Sequence, residues 1–312
     1  ISGAGASAIA TARFYTSLGV PRDQITMVDS TGIITQKRAD AGDLNEHKAA
    51  FARDRPEGDL ADAMVDADVF VGLSVGGIVS PAMVRSMAEN PMVFAMANPD
   101  PEIGYHEAKT AREDTVIAAT GRSDFPNQVN NVLGFPFIFR GALDVRARQI
   151  NEEMKVAAAE ALAELAREDV PDEVVQAYGD QPLQFGPDYV IPKPLDPRVL
   201  LRVAPAVAQA AMATGVARHE IEDLAAYRES LEARLGKSRE MMRVIYNKAM
   251  ADPKRVALAE GDDEKTIRAA NQMADAGIAD PVLIGSAETI DERIEELGIE
   301  FEPEILDPQQ AD

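Results

Sequence analysis

Cysteine is absent from all 312 residues. That excludes disulfides, thiolate nucleophiles and cysteine-ligated zinc within the chain, and it fits a reducing cytoplasm. Positive charge is scarce: 31 Lys and Arg stand against 53 Asp and Glu, for a formal net charge of -22. No basic footprint for a nucleic acid is apparent, and the acidity reads as a solvated surface rather than as a statement about fold. No apolar run approaches the ~18 residues of a membrane span. The three histidines, His47, His106 and His219, are scattered. None forms a metal-spaced pair, all three read as surface residues, and no Ser-His-Asp set suggests itself. Neither an initiator Met nor a signal peptide is visible.

What is present begins at once. Gly3-Ala4-Gly5-Ala6-Ser7-Ala8 reads as a dinucleotide turn, G-x-G-x-x-A, of the kind that follows a buried strand and opens a helix. Gly3 allows the tight turn, Gly5 lets a pyrophosphate approach the backbone, and Ala8 is small enough for helix–strand packing. Ala6 and Ser7 open the helix whose N–H groups face the phosphates. Only Ile1 and Ser2 precede this turn, and the strand before such a turn is usually central to its sheet. The expectation is an internal piece of a longer protein.

A helix over 5–18, ended by Gly19, leads to a short strand over 25–29 that closes on Asp29. Residues 36–59 are polar and loop-rich. Strands are predicted over 67–74, 92–96 and 115–119, with a Gly76-Gly77 turn and a helix over 81–88 between them. Strands alternating with helices predict an α/β, Rossmann-type, doubly wound parallel sheet. Residues 151–168 read as an amphipathic helix with Asn151 as N-cap, Glu152 and Glu153 complementing its dipole. Residues 179–197 are rich in Gly and Pro and read as irregular, 198–214 as helix, and 218–240 as a charged linker helix. From Arg255 the βα rhythm restarts with RVALAEG, a helix through Gly277, PVLIG and a helix near 287–297. Only two strands are foreseen there, the truncated start of a second α/β domain. The predicted organisation is 1–217, 218–240 and 241–312.

Asp29 is placed to hydrogen-bond an adenosine ribose and to repel a 2′-phosphate, which favours NAD. Lys37, Arg38 and Lys48 are the basic residues that could reverse that choice, and spacing alone does not decide. Asn98, in Ala97-Asn98-Pro99-Asp100-Pro101 just past a strand's carboxyl end, stands where ligands bind open α/β sheets, or forms an Asx turn before Pro99. Asn127, Gln128, Asn130 and Asn131 precede a very apolar stretch. They suggest a polar pocket in a wall of buried aromatics, or else caps and core packing.

These segments together resemble malic enzymes, most of all the large bacterial type in which a malic enzyme is fused to a phosphotransacetylase-like domain. The carrying residues are GAGASAIA (3–10), VDSTGII (28–34), ANPDPEI (97–103) and above all ATGRSDFPNQVNNVLGFPFIFRGALD (119–144). FGPDYVIPKP (185–194) and VAPAVAQAAM (203–212) continue the likeness to about residue 220, and 240–312 is similar to the opening of phosphotransacetylases. The resemblance implies oxidative decarboxylation of L-malate to pyruvate and CO₂, with a nicotinamide cofactor and Mg²⁺ or Mn²⁺. It implies Gly3, Gly5, Ala6, Ser7 and Ala8 at the pyrophosphate, Asp29 and Ser30 at the ribose, and Lys48 at a 2′-phosphate. It places Asn98 near nicotinamide and substrate, and Asn131, with neighbouring Asn130, near malate or the nicotinamide ribose. The family's Lys base, Tyr acid and three carboxylate metal ligands lie upstream of the glycine turn, so none is carried onto this chain. NADP is favoured on Lys48, with NAD the alternative. The second module implies an acetyl-CoA effector and a homo-oligomer. Two other readings stay open: a different Rossmann-type dehydrogenase, and a non-catalytic acetyl-CoA-sensing or assembly module.

Overall fold

The computed structural model describes residues 1–178, 183–297, 299 and 301–308. The chain divides into two compact units, Ile1–Glu229 and Ser230–Asp312. Among the described residues no helix is long and apolar enough to cross a membrane.

The first unit opens as the glycine pattern predicts. Ser2 makes parallel bridges to both Val28 and Gly72, so the stub before the turn lies inside the sheet. Helix α1 (Ala6–Ser17) follows, and its small face buries Ala8 and Ala12. The strand expected over 25–29 is shorter: β1 (Val28–Asp29) pairs antiparallel with β2 (Gly32–Ile33), because the chain turns back at Thr31. Met27, Ile34 and Phe51 are fully buried beneath α1, each contributing roughly 1.5–3 kcal/mol of apolar burial. The stretch 36–59 is less irregular than expected. It holds short helices α2 (Gln36–Asp40) and α3 (Glu46–Ala49), started by the side chains of Thr35 and Asn45. Helix α4 (Leu60–Met64), unforeseen, carries an Asp59–Asp62 capping box.

Strand β3 (Val69–Gly72), helix α5 (Pro81–Arg85), strand β4 (Met92–Ala95), helix α6 (Tyr105–Thr110) and strand β5 (Ile117–Thr120) then alternate. β3, β4 and β5 pair in parallel. The last strand starts two residues later than predicted, with the Thr115 N–H taken by the Asn90 side chain instead of a ladder. Ser80 caps α5 and Pro81 fills its first position, where a missing N–H costs nothing. The spatial order is β2, β1, Ser2, β3, β4, β5. The chain runs outward from Ser2 to β1 and then crosses to the other side at β3. That reversal is a topological switch point, which opens a crevice at the carboxyl ends of the strands.

Helices α7 (Phe135–Asp144), α8 (Glu152–Ala166), α9 (Asp172–Gln176) and α10 (Arg198–Ala213) complete most of this unit. Asn151 caps α8 through Met154 N–H, and Glu152 pairs with Lys155. Gly141 lets α7 lie against the Ala204 carbonyl and Val207 of α10. The aromatics after the asparagines are not a buried wall. Phe135 and Phe139 are 64% and 44% exposed, because they share an outward stripe of α7 with Leu143 while Phe137 and Ile138 face the helical core. Residues 183–197 are largely irregular, as expected; 179–182 fall outside the described residues.

Helix α11 (Leu224–Ala251) contains the division between the units. In the second unit, β6 (Lys254–Leu258), α12 (Glu264–Asp275), β7 (Ala279–Ile284) and α13 (Ala287–Leu297) match the predicted rhythm. The expectation of only two strands is corrected: β8 (Glu304–Leu306) pairs in parallel with β7. The sequence stretch EIL is too short to announce itself as a strand. Ile267, Leu283 and Ile290 form this unit's buried core.

Candidate dinucleotide site

The site assembles at the carboxyl ends of these strands around Ser2. Gly3 has φ +102°, and a Cβ there would press into the Leu73 carbonyl, so only glycine suits the turn. Gly5 starts α1, and a Cβ there would meet nothing within 4 Å. Room for a ligand lies above that backbone. Thr35, Asn45, Asp59, Ser80 and Asn151 lend side-chain oxygens to their helices. α1 has no such cap and no acid in its first turn. Its leading N–H groups and positive dipole end suit an anion. Ala6 and Ser7 are exposed there, while Ala8 is buried against the sheet.

On the β1 side, Asp29 is held by two cations. Arg38 spans both carboxylate oxygens at 3.0 and 3.1 Å, and Lys48 Nζ reaches Oδ2 at 2.8 Å. The Arg38 guanidinium also donates to the Gly32 and Ile33 carbonyls, which fixes it under the β1–β2 turn. Burial alone would raise the Asp29 pKa. Hydrogen bonds from Arg38, Lys48 and the Thr31 N–H outweigh that and bring it down to about 2. The trio therefore carries a net charge of +1 in place of the lone anion expected at Asp29. Of the three cations the sequence offered, Lys37 turns away to Glu57 on the surface. Ser30 is exposed in the turn. Beside α1 lies a cleft of about 380 Å³, lined by Ala4, Gly5, Ala6, Ile9, Ala10, Arg13, Asn45 and His47. His47 is exposed like His106 and His219, but its ring meets Arg13 at 3.1 Å at the rim of that cleft.

On the β3–β4 side, residues 74–77 and 97–100 line a cleft of about 510 Å³ that includes Asn98. The Asn98–Pro99 peptide is cis. Beneath it, Glu102 is fully buried and accepts hydrogen bonds from the Ser74 N–H and hydroxyl and from the Ala97 N–H. Asn130 and Asn131 are not among that cleft's lining. Asn130 caps the turn at 131–133 by accepting from Val132 N–H, and Asn131 is exposed. Asn127 is a structural clamp, since its side chain bonds Ala118 O, Pro187 O and Val190 N. Sequence reading missed Glu102, Arg13 and His47. Glu102 lay within the quoted ANPDPEI, but no local pattern announces a carboxylate that reaches back to Ser74. Among the described residues no three His, Cys, Asp or Glu side chains group closely enough to hold a metal ion.

Comparison with known proteins follows the same division. The family described as "Malic enzyme, NAD binding domain" matches residues 3–177, and "Phosphate acetyl/butaryl transferase" matches 240–312. The chain is 48% identical over 298 residues to an NADP-dependent malic enzyme of Haemophilus influenzae, covering 96% of the chain and 39% of that relative. It is 46% identical over 305 residues to an NAD-dependent malic enzyme of Rhizobium meliloti, covering 97% and 39%. The chain thus spans about two fifths of the length of these relatives. The crystal structure of a malic enzyme from Pyrococcus horikoshii superposes with a TM-score of 0.67 at 37% identity, covering 80% of this chain and 55% of that one. A family match over more than half its residues, laid on a glycine turn and switch point built for a dinucleotide, makes this chain a member of the malic enzyme family through its NAD-binding domain.

Proposed function

We propose that the first unit is the cofactor-binding half of an NADP-dependent malate dehydrogenase (oxaloacetate-decarboxylating), an enzyme that converts L-malate to pyruvate and CO₂. The observation that carries the cofactor choice is the Asp29–Arg38–Lys48 trio. A lone Asp29 would repel a 2′-phosphate. A carboxylate holding two cations leaves one positive charge over, and Lys48 is the more exposed of the two at 27%, free to swing toward a phosphate. At 4 Å a unit charge pair is worth ~4 kcal/mol at an effective dielectric of 20. The NADP-dependent relative supports this choice, and the NAD-dependent one shows that the family accommodates both.

The order of elements supports one direction for the cofactor. Phosphates lie on the α1 N-terminus, the adenosine end on the β1 side, and the nicotinamide end on the β3–β4 side over the larger cleft. When bound, the dinucleotide supplies the hydride acceptor. Asn98 offers its amide to the nicotinamide or to the substrate carboxylate, and Asn130 and Asn131 stand for the substrate side. The described residues hold no cluster for the divalent ion of this chemistry, and we assign that ion, with the base and acid, to the remaining three fifths of the longer enzyme that the relatives represent. Residues 218–240 serve as connector and 241–312 as the start of a phosphotransacetylase-like domain. That match supports a second reading, an acetyl-CoA effector acting on a homo-oligomer, and the exposed α7 stripe supports a covered face. We place the enzyme in the cytoplasm, a setting that the cysteine-free chain fits.

Calorimetric titration of the 312-residue chain tests these readings. NADP⁺ binding at least about tenfold tighter than NAD⁺ is expected, corresponding to about 1.4 kcal/mol. Binding of acetyl-CoA with neither dinucleotide would favour the sensing module instead.

A further inference from the structure

Resting on that reading, we propose that Glu102 is a positioning residue for the nicotinamide end of the site, and that its buried charge biases the cleft toward the oxidised, cationic ring. Three observations converge on it. Its side chain ties together both loops that line the larger cleft. Oε1 accepts from the Ser74 N–H at 3.0 Å and the Ser74 hydroxyl at 3.1 Å, and Oε2 accepts from the Ala97 N–H, next to Asn98, at 3.0 Å. Its backbone joins the same loops, since Val79 N–H donates to Glu102 O and Gly77 N–H to Pro101 O. Through the Ser74 hydroxyl, 3.0 Å from that of Ser2, the chain of polar contacts extends to the residue before the glycine turn.

The seat is built for this group. A Cβ on Gly72, at the end of β3, would overlap the Glu102 carboxyl, so the carboxylate lies flat on a glycine kept bare beneath it. The oxygens accept from N–H and O–H donors, and among the described residues no cation pairs with them. A buried anion compensated only by dipoles keeps a long-range field. That field points into a cleft where the occupant's ring is positively charged when oxidised and neutral when reduced. Glu102 touches neither substrate nor cofactor in this account. It acts through Ser74, Ala97 and its charge.

The test compares wild type with Glu102→Gln and Glu102→Asp in the full chain, titrated with NADP⁺, NADPH and adenosine 2′,5′-bisphosphate. Glu102→Gln keeps the size and removes the charge. Its affinity for NADP⁺ is expected to fall about tenfold, against under about threefold for NADPH. Glu102→Asp is expected to recover part of the NADP⁺ affinity. Adenosine bisphosphate, which lacks the nicotinamide end, is expected to bind all three proteins alike. Equal losses for NADP⁺ and NADPH, or a parallel loss of adenosine bisphosphate, would reduce Glu102 to a structural brace and overturn the proposal, as would unchanged binding of every ligand. Should Glu102→Gln fail to fold, Ser74→Ala removes one donor and leaves the charge. It is expected to weaken both dinucleotides about threefold and spare adenosine bisphosphate; no change for the dinucleotides would sink the positioning role. A wild type that binds none of the three ligands would instead overturn the dinucleotide reading itself.

Discussion

Asp29 and Glu102 are both buried carboxylates at the carboxyl edge of one sheet, on opposite sides of Ser2, yet they are held in different ways. Asp29, with 9% of its side chain exposed, is gripped by Arg38 and Lys48. Glu102, fully buried, is held by two backbone N–H groups and a hydroxyl. The difference teaches what each end of the site can do. Side-chain cations can change partner, so the Asp29 end is the one whose charge can adjust, and the proposed cofactor choice rests on it. Backbone donors cannot move without moving the loops, so the Glu102 end fixes geometry. An ion pair of the first kind adjusts specificity, and an anion of the second kind gives shape.

The most severe way to break this contrast is Gly72→Ala. The new methyl would displace the Glu102 carboxyl and leave the Ser74 and Ala97 donors without partners, a loss of about 3 kcal/mol or more, read by denaturant unfolding. Gly5→Ala, which meets open space, is expected to change stability by under about 0.5 kcal/mol while weakening dinucleotide binding. A near-wild-type midpoint for Gly72→Ala would remove the brace. Next in size, Lys48→Gln is expected to raise the apparent NADP⁺ constant about tenfold and the NAD⁺ constant under about twofold. An equal effect on both would make Lys48 a bystander.

A pH series sharpens the ion-paired half of the comparison. The Asp29 pKa falls from 3.8 to about 2 on folding, so its contribution to stability is complete above about pH 4 and disappears as the pH drops toward 2. Asp29→Asn should flatten that limb of a melting-temperature profile. Asp114, lowered to about 2 by Arg112, titrates in both proteins and supplies the common background. If the two profiles have the same acid slope, the Arg38–Lys48 grip contributes nothing to folding. The smallest effects concern the neighbouring asparagines. Asn130→Ala loses a cap worth ~1 kcal/mol, whereas exposed Asn131→Ala should melt within about 0.5 kcal/mol of wild type and yet weaken malate turnover in the longer enzyme. Wild-type turnover would remove Asn131 from the site.

Much of this is legible in the sequence. Gly3 and Gly5 announce their turn because a left-handed backbone and an open approach demand glycine. Asn151 announces a helix start because capping is local chemistry. Other features were hidden because their cause is distant. Arg38 and Lys37 are adjacent and alike in sequence, but only Arg38 lies under the β1–β2 turn. Asn127 could be read as a pocket amide or as a packing group, and it is a clamp onto Pro187 and Val190, 60 and 63 residues away. The aromatics of α7 looked like core, but helical periodicity does not say which stripe finds a neighbour.

The sequence alone determined the fold class, the family and the place of the glycine turn that opens α1, because glycine turns, caps and alternating strands are decided by steric rules acting over a few residues. The tertiary structure alone decided the charge around Asp29 and the brace built on Glu102. Those depend on which side chains are brought to Asp29, Ser74 and Ala97 across long stretches of chain, and pairing at that range is settled only when the sheet assembles.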